Sequence, residues 1–246
     1  MTCIDAVIFD WGGTLTPWRT MDLRAGWRAY SEVLHAEDPQ RARALAEALV
    51  AADGARWAGV RDEHRAFTLA EVLADAAADV DSARHAAALD AYREFWVAAT
   101  HTDPEAAPML AVLRERGLRL GVLSSTAWPG AWHEEWLRRD GVLDLFDATV
   151  WSSELPWTKP HAEAFRAVMA AVGVTDPARC VHVGDRPYDD ISGAKAVGMR
   201  AVLVPHSDIP PSQRVPVDVE PDAVVQRLSE LPDLLARWCE DRAGAG

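Results

Sequence analysis

The chain has 246 residues, 38 acidic against 25 basic side chains, a formal net charge of -13 and 49% apolar residues. That length fits one or two domains with enough apolar matter for a real core. So acidic a surface should repel phosphate backbones and anionic lipid, which sets aside nucleic acid and membrane surfaces as partners.

The only lysines are Lys159 and Lys195, and asparagine is absent. Cys3, Cys180 and Cys239 lie far apart with no C-x-x-C pair, a usage that predicts buried free thiols in a reducing compartment. The start, MTCIDAVIFDW, shows neither a basic segment nor a long apolar one, and no run of about 18 apolar residues follows. The expectation is a cytoplasmic protein.

Residues 4–9, IDAVIF, read as a strand buried on both faces, ended by Asp10, Gly12 and Gly13. From 17 to 101 the period becomes helical. Trp27, Tyr30, Val33 and Leu34 share one face; Leu69, Val72, Leu73, Ala76 and Val80 another; Leu89, Tyr92, Phe95, Trp96 and Ala99 a third. A helix near 108–116 closes at Gly117. Strands follow at 118–125, 148–153, 180–185 and 201–206, with helices at 161–172, 189–197 and 223–239. The four prolines of 209–221 mark a surface loop, and the final RAGAG should fray. Strands alternating with helices predict an α/β fold: a Rossmann-like, doubly wound parallel sheet from 1–16 and 102–246, with an all-helical cap inserted at 17–101.

Ligands of such sheets bind beyond the carboxyl ends of the strands. Those ends carry Asp10, then Ser124 and Ser125, then Lys159 and Pro160, then Gly184 and Asp185 with Asp189 and Asp190 close behind. Carboxylates from separate strands repel each other without a cation, and hard oxygen ligands suit Mg²⁺. A phosphate fits beside them, with Lys159 as a point charge, Ser124 as a donor and the Gly12–Gly13 turn nearby. Asp10 is then placed to act as a nucleophile.

These residues resemble the four motifs of the haloacid dehalogenase superfamily. Asp10-Trp11-Gly12-Gly13-Thr14-Leu15-Thr16 is similar to the first, Leu123-Ser124-Ser125-Thr126 to the second, Lys159-Pro160 to the third, and Gly184-Asp185-Arg186-Pro187-Tyr188-Asp189-Asp190 to the fourth. The resemblance implies Asp10 as nucleophile and metal ligand, with the Gly12 carbonyl, Asp185 and Asp190 completing the Mg²⁺ shell. Ser124 and Lys159 would hold the phosphoryl group. Apart from the resemblance, their places on the expected site loops make Gly13, Ser125, Arg186, Trp18 and Trp128 candidates for the substrate site. The resemblance implies a phosphatase of a small phosphorylated molecule; a monomer or homodimer is the expected state.

One departure matters. Phosphatases of the family usually carry a second aspartate two residues after the nucleophile, as general acid and base, and here that position is Gly12. The alternatives are a 2-haloacid dehalogenase-like or phosphonatase-like hydrolase, or a weakly active phosphate-binding protein. Phosphonatases need a cap lysine, whereas both lysines here fall in core motifs; the absence of asparagine counts against the dehalogenases. Asp22, Arg24 and His35 are candidates within the cap for the missing proton.

Eleven tryptophans are many, and Trp11, Trp18, Trp128, Trp132 and Trp157 fall on or near the expected site loops, as pocket walls or as packing between cap and core. His133 in WHEEW reads as a solvated helix residue, His182 as a satisfied core histidine and Lys195 as surface.

Overall fold

The computed structural model describes residues 3–205 and 215–244. Its centre is a six-stranded, all-parallel sheet in the order β3-β2-β1-β4-β5-β6. The strands are β1 (Ala6–Phe9), β2 (Arg119–Ser124), β3 (Ala148–Trp151), β4 (Cys180–Gly184), β5 (Arg200–Leu203) and β6 (Ala223–Val224). Strand β1 is central, which is why AVIF is apolar at every position and buried throughout.

Alternation along β1 divides the core. Val7 and Phe9 face one layer, where α5 (Ala106–Glu115), α6 (Gly130–Arg139) and α9 (Leu231–Gly244) contribute Leu110, Leu137 and Leu231. Ala6 and Ile8 face the other, closed by Phe165 and Val168 of α7 (Ala162–Ala171) and Ala194 of α8 (Gly193–Ala196). A third core belongs to the helices inserted after β1: α1 (Leu23–Leu34), α2 (Pro39–Glu63), α3 (Leu69–Asp75) and α4 (His85–Trp96). Trp27, Tyr30, Leu49, Val72 and Tyr92 fill it.

The local chemistry explains where these helices begin. Asp22 and Asp38 accept N-terminal amide protons of α1 and α2, Pro39 opens α2, and Thr68 with Glu71 forms a capping box on α3. Helix α2 ends at His64 in the left-handed conformation (φ 55°), and the chain is then strapped to the core by hydrogen bonds from Ala66 to Pro156 and from Leu69 to Ala127.

Several expectations are corrected. Residues 223–239 are not one helix: Ala223–Val224 adds a sixth strand beside Val202 and Leu203, a pairing too short to leave a period, and α9 starts only at Leu231. The segment 189–197 begins earlier, as a π-helical turn at Pro187–Ser192 running into α8. Val80 is exposed rather than packed with α3. Cys3 and Cys239 are not free thiols: they form a disulfide, their Cα atoms 5.2 Å apart, and only Cys180 is a buried free cysteine. The expected loop and frayed end fall partly outside the described residues, although α9 continues to Gly244. Among the described residues no helix is long and apolar enough to cross a membrane.

Candidate active site

The parallel register assembles the site. Phe9 pairs with Val122 on one side and Val183 on the other, so Asp10 emerges beside Leu123-Ser124 and beside Gly184-Asp185. The Asp10 amide continues the ladder by donating to the Val183 carbonyl at 2.9 Å. The chain order reverses across β1, going to β2 and β3 on one side and to β4 on the other, and this is where open α/β sheets bind ligands.

Lys159, 3% exposed, donates from Nζ to Asp10 Oδ1 at 2.7 Å and to Asp190 Oδ1 at 2.6 Å. Asp190 is held further by His182 Nε2 at 2.9 Å and by the Arg186 amide at 3.0 Å on Oδ2. Gly184 makes room for this carboxyl, because a Cβ at that position would run into the Asp190 side chain. Burial opposes the charge of Asp190, but Lys159 and His182 outweigh it and hold the carboxyl well below the usual carboxylate range. Burial raises Asp10, with Lys159 pulling the other way. Burial also works against the charge on Lys159, yet its two carboxylates overcome that and raise it.

Carboxylate oxygens of Asp10, Asp185 and Asp190, all buried, lie within 4.8 Å of one another. An all-oxygen donor set of this kind, without Cys or His, fits a hard divalent cation such as Mg²⁺. Asp189, on the same turn, is pushed up to about 6 by burial and by Asp190, against Arg186 and Lys159.

A cavity of about 590 Å³ extends from Asp10 into the helical cap. Gly12, Ser124, Ser125, Lys159 and Arg186 stand on its core wall together with Trp18 and Trp128, so the structure brings most of the expected site residues to one space. Ser125 accepts from the Thr158 hydroxyl at 2.7 Å, and Arg186 lies over the Trp18 ring at 5.2 Å. Gly13 does not line the cavity. Its amide donates to Thr16 at 2.7 Å and its φ is 97°, so it shapes the turn rather than offering its N–H to a phosphate.

The aromatic residues serve both expected roles. Trp11, Trp18 and Trp128 line the cavity, whereas Trp132 and Trp157 do not. Trp128 also joins core to cap, donating from Nε1 to the Tyr92 hydroxyl at 3.2 Å. His133 is not solvated: it is fully buried, stacked on Trp151 at 4.3 Å and 3.0 Å from the Thr126 hydroxyl, and burial pushes it down to about 3. His182 is a buried, hydrogen-bonded core histidine as expected.

Asp22, Arg24 and His35 do not reach the cavity. Asp22 caps α1, Arg24 pairs with Glu47 at the surface, and His35 ends α1. The polar cap residues that do line it are Asp53, Arg61 and His64. His64 Nε2 lies 2.9 Å from the Tyr188 hydroxyl, and burial with His161 lowers it below the ordinary histidine value. Asp53 receives the Trp27 indole N–H at 3.4 Å, and burial raises it.

Residues 4–198 match the family model of the haloacid dehalogenase-like hydrolases. The chain belongs to that family. Among curated relatives, it is 32% identical to a glyceraldehyde 3-phosphate phosphatase of Methanopyrus kandleri over 138 residues, 56% of this chain and 58% of that protein. The chain thus matches little more than half the length of that relative. Among solved structures, it resembles a 2-haloacid dehalogenase from Pseudomonas syringae pv. Tomato DC3000 (TM-score 0.64, 28% identity, 96% of this chain and 99% of that one). A haloacid dehalogenase-family phosphatase from Thermococcus onnurineus shares the fold (TM-score 0.61, 23% identity, 94% and 98% covered).

Proposed function

We propose that this hydrolase is a magnesium-dependent phosphatase of a small phosphorylated metabolite, acting as a monomer or homodimer through an aspartyl-phosphate on Asp10. The observation that carries it is the buried set of Asp10, Asp185 and Asp190, whose oxygens lie within 4.8 Å beside Lys159. Phosphatases at 30–38% identity among the relatives support the reaction class.

Asp10, Asp185 and Asp190, with the Gly12 carbonyl, would hold the cation. When bound, Mg²⁺ supplies charge neutralisation for the phosphoryl oxygens and favours the ionised form of Asp10. An Asp10 carboxylate oxygen attacks phosphorus, and the bond from phosphorus to the leaving oxygen breaks. Lys159 and the Ser124 hydroxyl bind nonbridging oxygens, Asp190 keeps Lys159 oriented, and Arg186 and Ser125 line the approach. Water then attacks phosphorus, releasing inorganic phosphate and restoring Asp10. Such transfer depends chiefly on positioning and charge, which this constellation provides.

With Gly12 where a carboxyl is usual, the core wall has no acid at that point. Losing one general acid typically costs about 10² to 10⁴ in rate. That favours leaving groups of low basicity.

A second reading is a dehalogenase that uses Asp10 on carbon. Its support is the 28% identity to a 2-haloacid dehalogenase over 96% of this chain. A panel of aryl, sugar and acyl phosphates, assayed with Mg²⁺ and with EDTA, separates the two. Phosphate release that needs Mg²⁺ is expected. Chloride release from a 2-haloacid in EDTA, without phosphate release from the panel, would establish the second reading.

A further inference from the structure

The far end of the cavity, away from Asp10, is built from cap residues and has a chemistry of its own. Asp53, on α2, is 8% exposed and lines the cavity with Trp27, Trp57, Tyr92 and Trp96. The Trp27 indole N–H donates to its carboxyl at 3.4 Å, and the Trp57 ring stands on the same wall of the cavity. Trp27 and Tyr92 stack at 4.4 Å and 28°, forming a flat aromatic wall. Among the described residues no lysine, arginine or histidine forms an ion pair with Asp53, although Arg61 lines the same cavity.

A carboxyl buried without a cation is costly, and an all-apolar ligand would leave it so. Aromatic rings beside an acid favour a positive ligand group twice over, by ring quadrupole and by charge. We propose that Asp53, Trp27, Trp57 and Tyr92 form a subsite for an organic ammonium group, so that the substrate is a phosphate monoester carrying an alkylammonium at its other end. The ester half of this proposal rests on the phosphatase reading above; the ammonium half does not. An ammonium near the leaving oxygen also lowers the basicity of the departing alkoxide, which offsets the glycine at position 12.

Tetramethylammonium chloride, titrated against tryptophan fluorescence of the full chain, tests the subsite without turnover. Saturable binding is expected, weakened about tenfold in Asp53→Asn, which keeps an acceptor for the Trp27 indole, and less in Asp53→Glu. Neopentyl alcohol, the uncharged control, should not discriminate among the three proteins. In turnover, choline phosphate should exceed its carbon isostere 3,3-dimethylbutyl phosphate by about tenfold or more in kcat/KM, and Asp53→Asn should collapse that ratio. No tetramethylammonium binding to the wild type, or an unchanged ratio in Asp53→Asn, overturns the subsite. Binding of tetramethylammonium with no hydrolysis of either ester would uphold the subsite and overturn the phosphatase reading; equal hydrolysis of both esters would do the reverse.

Discussion

Replacing Lys159 by Met strands two carboxylates that it now bridges at 2.7 and 2.6 Å in a site where Lys159 itself is 3% exposed. Breaking a buried ion pair by removing one partner costs about 3–5 kcal/mol. At roughly 2–4 °C per kcal/mol for a domain of this size, the melting temperature at pH 7 without divalent cation should fall by roughly 6–20 °C. The sign of the pH dependence follows from the carboxylates. With Lys159 gone, burial raises Asp10 further above the ordinary carboxylate value and Asp190 loses its main charge partner while keeping His182, so the folded variant binds protons more readily than the folded wild type. Its deficit against wild type should therefore shrink as pH falls from 7 toward 5, by up to about 1.4 kcal/mol per pH unit for each extra proton bound. On the magnesium reading, Mg²⁺ should recover part of the loss, since it would bind the carboxylate cluster only in the folded state. Turnover should drop by roughly 10² to 10³ even when the protein is folded, as for loss of one oxyanion donor. Thermal unfolding followed by circular dichroism at pH 5 and 7, with and without Mg²⁺, reads all of these. A variant as stable as wild type at pH 7, or a deficit that grows on acidification, would refute the reasoning.

His133 should make the fold acid-sensitive. Its folded value is about 3 against 6.5 in the unfolded chain, so its contribution is constant above about pH 6.5 and stability is lost as pH falls from there toward 3. By pH 4.5 that loss is about 2.7 kcal/mol, and denaturant unfolding of His133→Gln should show an acid limb shallower by about that amount; an identical limb would contradict the burial of a neutral imidazole. At Gly12, an added Cβ meets nothing within 4 Å, so a side chain can start there without a clash. Gly12→Asp should raise turnover of alkyl phosphates by about 10²-fold or more, with a smaller gain on aryl phosphates, which need no acid. Steady-state kcat on the two classes checks this, and a larger gain on the aryl ester would count against the account of position 12.

The core half of the site was legible because parallel register converts strand ends into neighbours: once β1, β2 and β4 are read as adjacent, Asp10, Ser124 and Asp185 must meet. The cap half was not, because Asp53 is a titratable residue on a helix, where such residues usually face water, and His133 on α6 of the core escaped for the same reason. A signal was present in each case. Asp53 continues the buried stripe of Ala42, Leu45, Ala46 and Leu49 on α2, and His133 lies with Gly130, Trp136 and Leu137 on the buried face of α6. An acid or imidazole on the apolar stripe marks a buried polar group, and the period alone exposes it. The Cys3–Cys239 bridge left no local trace, since 236 residues separate its ends. Strand β6 was missed for a different reason: two residues carry no alternation, and only the edge of β5 defines them.

The central claim is that Asp10 attacks phosphorus and not carbon, and oxygen-18 water tests it most directly. Repeated turnover in labelled water, followed by mass analysis of the released phosphate and of the peptide containing Asp10, locates the atom that water attacks in the second step. If an aspartyl-phosphate is hydrolysed at phosphorus, the label appears in inorganic phosphate while the Asp10 carboxyl stays unlabelled, and Asp10→Asn releases no phosphate. Label accumulating in the Asp10 carboxyl during turnover of a 2-haloacid, with no phosphate released from any ester, would contradict the account.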